Sequence, residues 1–175
     1  MPFAYYDALS AARRRTYRRS DAITWLGLPP GIDAGALVDR LAAELAREDR
    51  GAVQRTCQQL IDDLVRSYRV PPVRVKVLAR RPTDEYGELH GFYEPGELRT
   101  RARITVWMRT AKRRQVVAFR SFLRTLVHEL VHHLDYELFM LDETFHTEGF
   151  YKREASLSNA LFAQRAAAAA QTAAS

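Results

Sequence analysis

His128, Glu129 and His132 stand in the order His-Glu-x-x-His within Thr125-Leu-Val-His-Glu-Leu-Val-His-His-Leu-Asp135. Two histidines four apart on a helix project from one face, so their ring nitrogens can close on one metal ion. Glu129 then lies beside that ion, placed to take a proton from a water bound there. The chemistry this spacing offers is metal-assisted hydrolysis, and Zn2+ is the ion that these residue types suit. Catalytic zinc takes three protein ligands and keeps one position open. Four residues compete for the third place. His146 follows His132 in a stretch that reads as a loop able to fold back across the helix, and imidazole is the commonest metal ligand. Glu154 lies on the next helix, at a distance that suits sites with a glutamate ligand. Asp135 is one turn past His132 and better placed to support a histidine Nδ1–H. Glu148 sits in the same loop as His146. Ligand preference puts His146 first and leaves Glu154 open behind it.

The motif needs a helix to carry it. Leu123, Leu126, Val127, Leu130, Val131, Leu134 and Leu138 recur over a wide arc, which predicts a core helix from about Gln115 to Phe139. Histidines and a glutamate on a buried helix are costly unless hydrogen bonds or a metal satisfy them, and this cost itself argues for a site. His133 lies about 140° around the helix from His128 and reads as a packing or surface residue. His90, before a glycine, reads as a turn residue. Trp25, Trp107 and the tyrosines read as packing bodies. Tyr151 does too, with stabilisation of an oxyanion as its alternative.

Ahead of the motif the period is two. Val73, Val75 and Val77 alternate with Arg74, Lys76 and Leu78, and Arg80-Arg-Pro82 ends that strand. Gly91 to Glu97 predicts a short strand running into a Pro-Gly turn, and Ala102 to Met108 a further strand. The arginine-rich loop between these two predicts a hairpin within a sheet of at least three strands. An open edge of such a sheet fits an extended peptide by strand addition. Earlier still, residues from about Ala4 to Ser20 read as a helix, and Leu26-Gly-Leu-Pro-Pro-Gly31 breaks the chain. Asp33 is the expected cap of a second helix ending near Arg47. Asp49 is the expected cap of a third, which Pro71-Pro72 ends. These helices read as scaffold. After the motif, Met140 to Gly149 reads as a loop and Phe150 to Gln164 as a last helix. Residues 166–175 are an alanine-rich tail that either extends this helix or frays, with no assigned role. The class is α+β in one domain over residues 1–165. Helices occupy residues 1–69, a sheet residues 70–110 and metal-binding helices residues 111–165.

The chain has 175 residues, enough for one domain with a hydrophobic core. Its lone cysteine, Cys57, excludes an internal disulfide and a cysteine-rich zinc site. The first residues lack the continuous apolar stretch of a secretory signal, and no run approaches the ~18 apolar residues of a membrane span. A cytoplasmic protein is expected, with no membrane partner. The net charge of +6 is unevenly spread. Arg13, Arg14, Arg15, Arg18 and Arg19 form one basic cluster. A second runs from Arg99 to Arg124, while the region after the motif is acidic. Such clusters are most often solvated faces, and nucleic acid is the partner they would fit otherwise.

The Gly-Phe-Tyr hairpin, the Ile-Thr-Val-Trp strand and Leu-x-x-x-Leu-x-His-Glu-x-x-His, in that order, resemble the SprT-like zinc metallopeptidases. His146-Thr-Glu-Gly-Phe150 matches that family's loop histidine with a phenylalanine four residues on. The likeness covers roughly residues 70–161. It implies a zincin-like fold, His128, His132 and His146 as zinc ligands, Glu129 as general base, and a protein or peptide substrate. The family's glycine after the third histidine is Thr147 here, and the zinc ribbon of some members is absent. A weaker resemblance to ImmA/IrrE-type peptidases, through Arg153-Glu154-Ala155 and a later Leu-Phe-Ala, would favour Glu154 as ligand. The expected function is zinc-dependent hydrolysis of peptide bonds. The alternatives are a nucleic-acid-associated protein with a structural or vestigial zinc site, or a protease acting on DNA-bound protein.

Overall fold

The computed structural model describes residues 2–175. It is an α+β arrangement of five α-helices and a small mixed sheet. The first helix begins later than the sequence predicts. Ala4–Ala8 form a 3-10 turn, Leu9 and Ser10 are extended, and helix α1 spans Ala11–Ala22. The break has a local cause: Ser10 Oγ accepts from Arg13 N, an N-cap, while Leu9 buries against Tyr17 and Phe145.

Helices α2 (Gly35–Ala46) and α3 (Arg50–Tyr68) follow. Asp49 caps α3 through Ala52 N at 3.0 Å, as expected. Asp33 lies one residue before the position expected of it, with Ala34 preceding the helix, and accepts from Gly35 N. Leu41 and Leu45 of α2 and Leu60, Ile61 and Leu64 of α3 are fully buried. Each such side chain contributes about 1.5–3 kcal/mol of burial.

Strands β1 (Val73–Arg80), β2 (Thr83–Asp84), β3 (Gly87–Glu88), β4 (Gly91–Glu94) and β5 (Ala102–Arg109) come next. The main sheet has the order β1-β5-β4, and β2 with β3 forms a separate antiparallel pair. The predicted hairpin is β4–β5, antiparallel, with Gly91 opposite Val106 and Glu94 opposite Arg103. β1 runs parallel to β5, Val75 beside Ile104. One face of the sheet (Val73, Val75, Val77, Ile104, Val106, Met108) enters the core. The free edge of β1 is closed by two glutamines of α3. Gln54 bonds Val75 O and Val77 N, and Gln58 bonds Val73 O and Val75 N, all within 3.1 Å. These amides take the place of a neighbouring strand. β4 forms the opposite edge.

The motif helix α4 spans Phe119–Glu137, shorter than predicted at both ends. At its start, Gln115 O and Val117 N are engaged by Thr110 N and Met108 O, so the chain there still pairs with the end of β5. At its end, Met140 takes a left-handed φ of 51° and turns the chain away. Helix α5 spans Glu148–Ala173, so of the two alternatives for the alanine-rich stretch it extends the helix. Thr147 is its N-cap, accepting from Phe150 N. Gly149 has a packing role: a β-carbon there would overlap the carbonyls of Ser20 and Asp21 at the end of α1. Among the described residues no helix is long and apolar enough to cross a membrane.

Candidate metal centre

Helix α4 presents His128 and His132 from one face, one turn apart, and the loop before α5 brings His146 onto them. Nε2 of His128 lies 3.3 Å from Nε2 of His132, and Nε2 of His146 lies 3.1 and 3.0 Å from the two. These three side chains form a group that could hold a metal ion. Phe150, at the start of α5, underlies all three rings with centroids 4.7–5.1 Å away. Tyr151 lies beside His146 and His128.

The far nitrogens of the two helical histidines define how their rings are protonated. His128 Nδ1 is 2.9 Å from Glu154 Oε2. A carboxylate only accepts, so this Nδ1 carries the proton and, in the neutral ring, Nε2 is left with a bare lone pair. His132 Nδ1 is 2.7 Å from Thr144 Oγ1, and that hydroxyl donates to Asp135 Oδ2 at 2.9 Å. Burial pushes Asp135 up to about 6, with Arg153 and Thr144 pulling the other way, so it is a carboxylate at neutral pH. The hydroxyl has one proton and gives it to Asp135, so His132 Nδ1 must donate and its Nε2 is also bare. Two lone pairs therefore face each other at 3.3 Å, with a third imidazole beside them. Such an arrangement repels itself unless a cation, or a proton on His146 Nε2, sits among the nitrogens.

Burial, with His128 and His146 nearby, holds His132 down to about 2, so the ring stays neutral, as a ligand must be. His146 is also lowered, chiefly by burial. Glu129 is buried, and burial raises it to about 7, with His128 opposing and Glu154 adding. It lines a cleft of about 430 Å³ between α4, β4 and the start of α5, together with His90, Gly91, Arg124 and Thr125. Gly91 makes room for it: a β-carbon there would stand 2.9 Å from Glu129 Cγ and 2.8 Å from Thr125 Cγ2.

The four candidates for the third place separate clearly. His146 is in the nitrogen triangle. Glu154 lies on the opposite side of the His128 ring and also meets Arg124 at 3.4 Å. Asp135 supports His132 as expected, but through Thr144 rather than directly. Glu148 pairs with Lys152 on α5. His133 is a buried packing residue, its Nδ1 3.0 Å from Tyr93 Oη and its Nε2 2.8 Å from Pro71 O. His90 borders the cleft without joining the triangle.

Three supporting residues have roles that the motif does not name. Thr144 gives no signal, because a loop's path has no periodicity. Tyr93, which stacks on His132 and bonds His133, gives only a strand pattern. Arg153 does give one: Phe150, Arg153, Glu154, Leu157 and Leu161 form a helical stripe, which marks Arg153 and Glu154 as facing inward. Arg153 is fully buried and bonds Asp135 Oδ1 at 2.8 Å, Ser20 O at 2.6 Å and Ile23 O at 2.5 Å.

The N-terminal elements are thus more than remote scaffold. The bidentate pair of Arg13 with Glu143 joins α1 to the His146 loop, as do Thr16 with Asp142 and Ser20 with Thr147. Much of the first basic cluster is spent on such internal contacts. No family model, no curated protein and no solved structure matches the chain.

Proposed function

We propose that the protein is a zinc-dependent metallopeptidase with a zincin-like fold, akin to the SprT-like enzymes, in which Glu129 is the general base. The observation that carries this reading is the convergence of three Nε2 atoms, two of them left unprotonated by their own hydrogen bonds. The donor set fits zinc. Bonds of about 2.0–2.1 Å in tetrahedral array put ligand nitrogens about 3.3 Å apart, close to the separations found here. His128, His132 and His146 would hold the ion, with Glu154 and the Asp135–Thr144 pair behind them.

Bound zinc supplies a Lewis acid that polarises the scissile carbonyl and makes water acidic. Glu129 accepts the proton of the attacking water on its carboxylate and returns it to the leaving amine. Gly91 leaves that carboxylate free to reach into the cleft. The edge of β4 runs beside α4, and the closure of the β1 edge by Gln54 and Gln58 leaves β4 as the side where an extended peptide can add. The test is a comparison of the wild type with Glu129→Gln. Both should carry about one zinc per chain, in keeping with a three-histidine site. Only the wild type should cleave an unfolded protein substrate, and cleavage by the variant at the wild-type rate would refute the mechanism.

One observation favours a second reading, in which the protein also holds nucleic acid. The sheet face away from the core carries Arg74 beside Arg103, which is paired to Glu94 on β4, with Lys76, Thr105 and a half-exposed Phe92 in the next row. Cations interleaved with an aromatic ring suit a single strand. Binding that weakens steeply with salt would support it, and no binding at low salt would exclude it.

A further inference from the structure

We infer that the Thr144 hydroxyl is a positioning group for two parts of the metal site: it fixes the ring of His132, and it pins the loop that delivers His146. The inference rests on the reading of the three histidines as ligands.

The hydroxyl sits at a junction. Oγ1 is 2.7 Å from His132 Nδ1 and 2.9 Å from Asp135 Oδ2, so one atom of the loop bonds two residues of α4. Asp135 cannot swing to meet it, because Arg153 holds its other oxygen at 2.8 Å and is itself fixed by Ser20 O and Ile23 O. The direction of each bond is therefore set from the far end. Arg153 donates to Asp135, Asp135 accepts from Thr144, and Thr144 accepts from His132. A single buried guanidinium thus leaves the His132 Nε2 lone pair facing His128 and His146. His146 is two residues beyond Thr144, so the same hydroxyl sets how closely the loop approaches α4. At the opposite flank, Thr147 Oγ1 meets Ser20 Oγ at 3.2 Å and anchors the loop to α1. His146 lies between these two anchors.

Replacing the hydroxyl by a methyl group keeps the volume and removes the relay. Thr144→Val leaves the Nδ1–H of His132 and Oδ2 of Asp135 without their shared partner, whereas Thr144→Ser keeps it. Asp135→Asn should reverse the relay. Its oxygen stays with Arg153, its amide then donates to Oγ1, and the hydroxyl must turn its proton towards His132 Nδ1.

The experiment is chelator competition for zinc with the wild type, these three variants and His146→Ala, alongside nitrogen-resolved histidine spectra of the metal-free wild type. Thr144→Val and Asp135→Asn should bind zinc about 10–100-fold more weakly, the range for lost support behind a ligand. Thr144→Ser should bind like the wild type. The metal-free wild type should show His132 protonated at Nδ1. Equal affinity of Thr144→Val and the wild type would overturn the inference. So would a wild-type His132 protonated at Nε2, a result that needs no variant to fold. His146→Ala separates the two levels: if it loses zinc while Thr144→Val does not, the metal site stands and the positioning role falls.

Discussion

His133 and His146 show how little residue type alone decides. His133 adjoins the motif, yet its ring is spent between the Tyr93 hydroxyl and the Pro71 carbonyl. His146 is fourteen positions beyond His132 and meets it at 3.0 Å. Two alanine substitutions should therefore have opposite outcomes. His146→Ala should abolish tight zinc binding and leave the melting temperature of the metal-free protein near its original value. His133→Ala should retain zinc and cost about 1–3 kcal/mol of stability, because the partly buried Tyr93 hydroxyl and the Pro71 carbonyl lose their bond to a buried ring. Metal analysis with thermal and urea denaturation of the two variants reads these directly. Glu154 teaches the same lesson. Its place on an inward stripe of α5 is readable, but which side of the His128 ring it occupies depends on packing between helices distant in sequence.

At the scale of elements, much of the fold is legible because each element answers a local rule. The apolar arc of α4, the alternation in β1 and β5 and the Asp49 cap of α3 are set by side chains close in sequence. What is not legible depends on distant backbone. The 3-10 turn at Ala4–Ala8 exists because Leu9 buries against Tyr17 and Phe145. The late start of α4 reflects pairing of Gln115 and Val117 with the end of β5. The parallel pairing of β1 with β5 has no signature in either strand. Glycines carry the rest of the fit between elements. Gly149 lets α5 approach the end of α1, which explains why a glycine at this position, with threonine as the cap, serves the loop well. Gly91 lets β4 approach Glu129. Gly91→Ala should preserve zinc content and lower peptide hydrolysis at least about 10-fold, since displacement of a catalytic group by about an ångström is enough for that. Hydrolysis at the wild-type rate would show that Glu129 does not need the space.

The whole molecule behaves as a clamp around neutral imidazoles, and this gives stability a direction in pH. In the metal-free protein His132 is held down to about 2, and His133 and His146 are lowered too, chiefly by burial. The unfolded chain protonates these rings near pH 6.5, while the folded chain resists. The unfolded state then binds more protons, so stability is complete above about 6.5 and is lost as pH falls below it. Glu129, raised to about 7, and Asp135, raised to about 6, work in the opposite sense as pH falls through those values and offset some of the loss. Urea melts of metal-free protein between about pH 7.5 and 5 should show a falling midpoint, and a flat profile would contradict the neutral clamp. Zinc should restore stability near neutral pH, increasingly so as its concentration rises. The most direct test of the central claim is X-ray absorption at the zinc edge of the loaded protein. Three imidazole nitrogens at about 2.0–2.1 Å in the wild type, falling to two in any variant lacking His146 that still retains zinc, is the predicted result. A carboxylate in place of the third imidazole, or no bound zinc at all, would contradict the account.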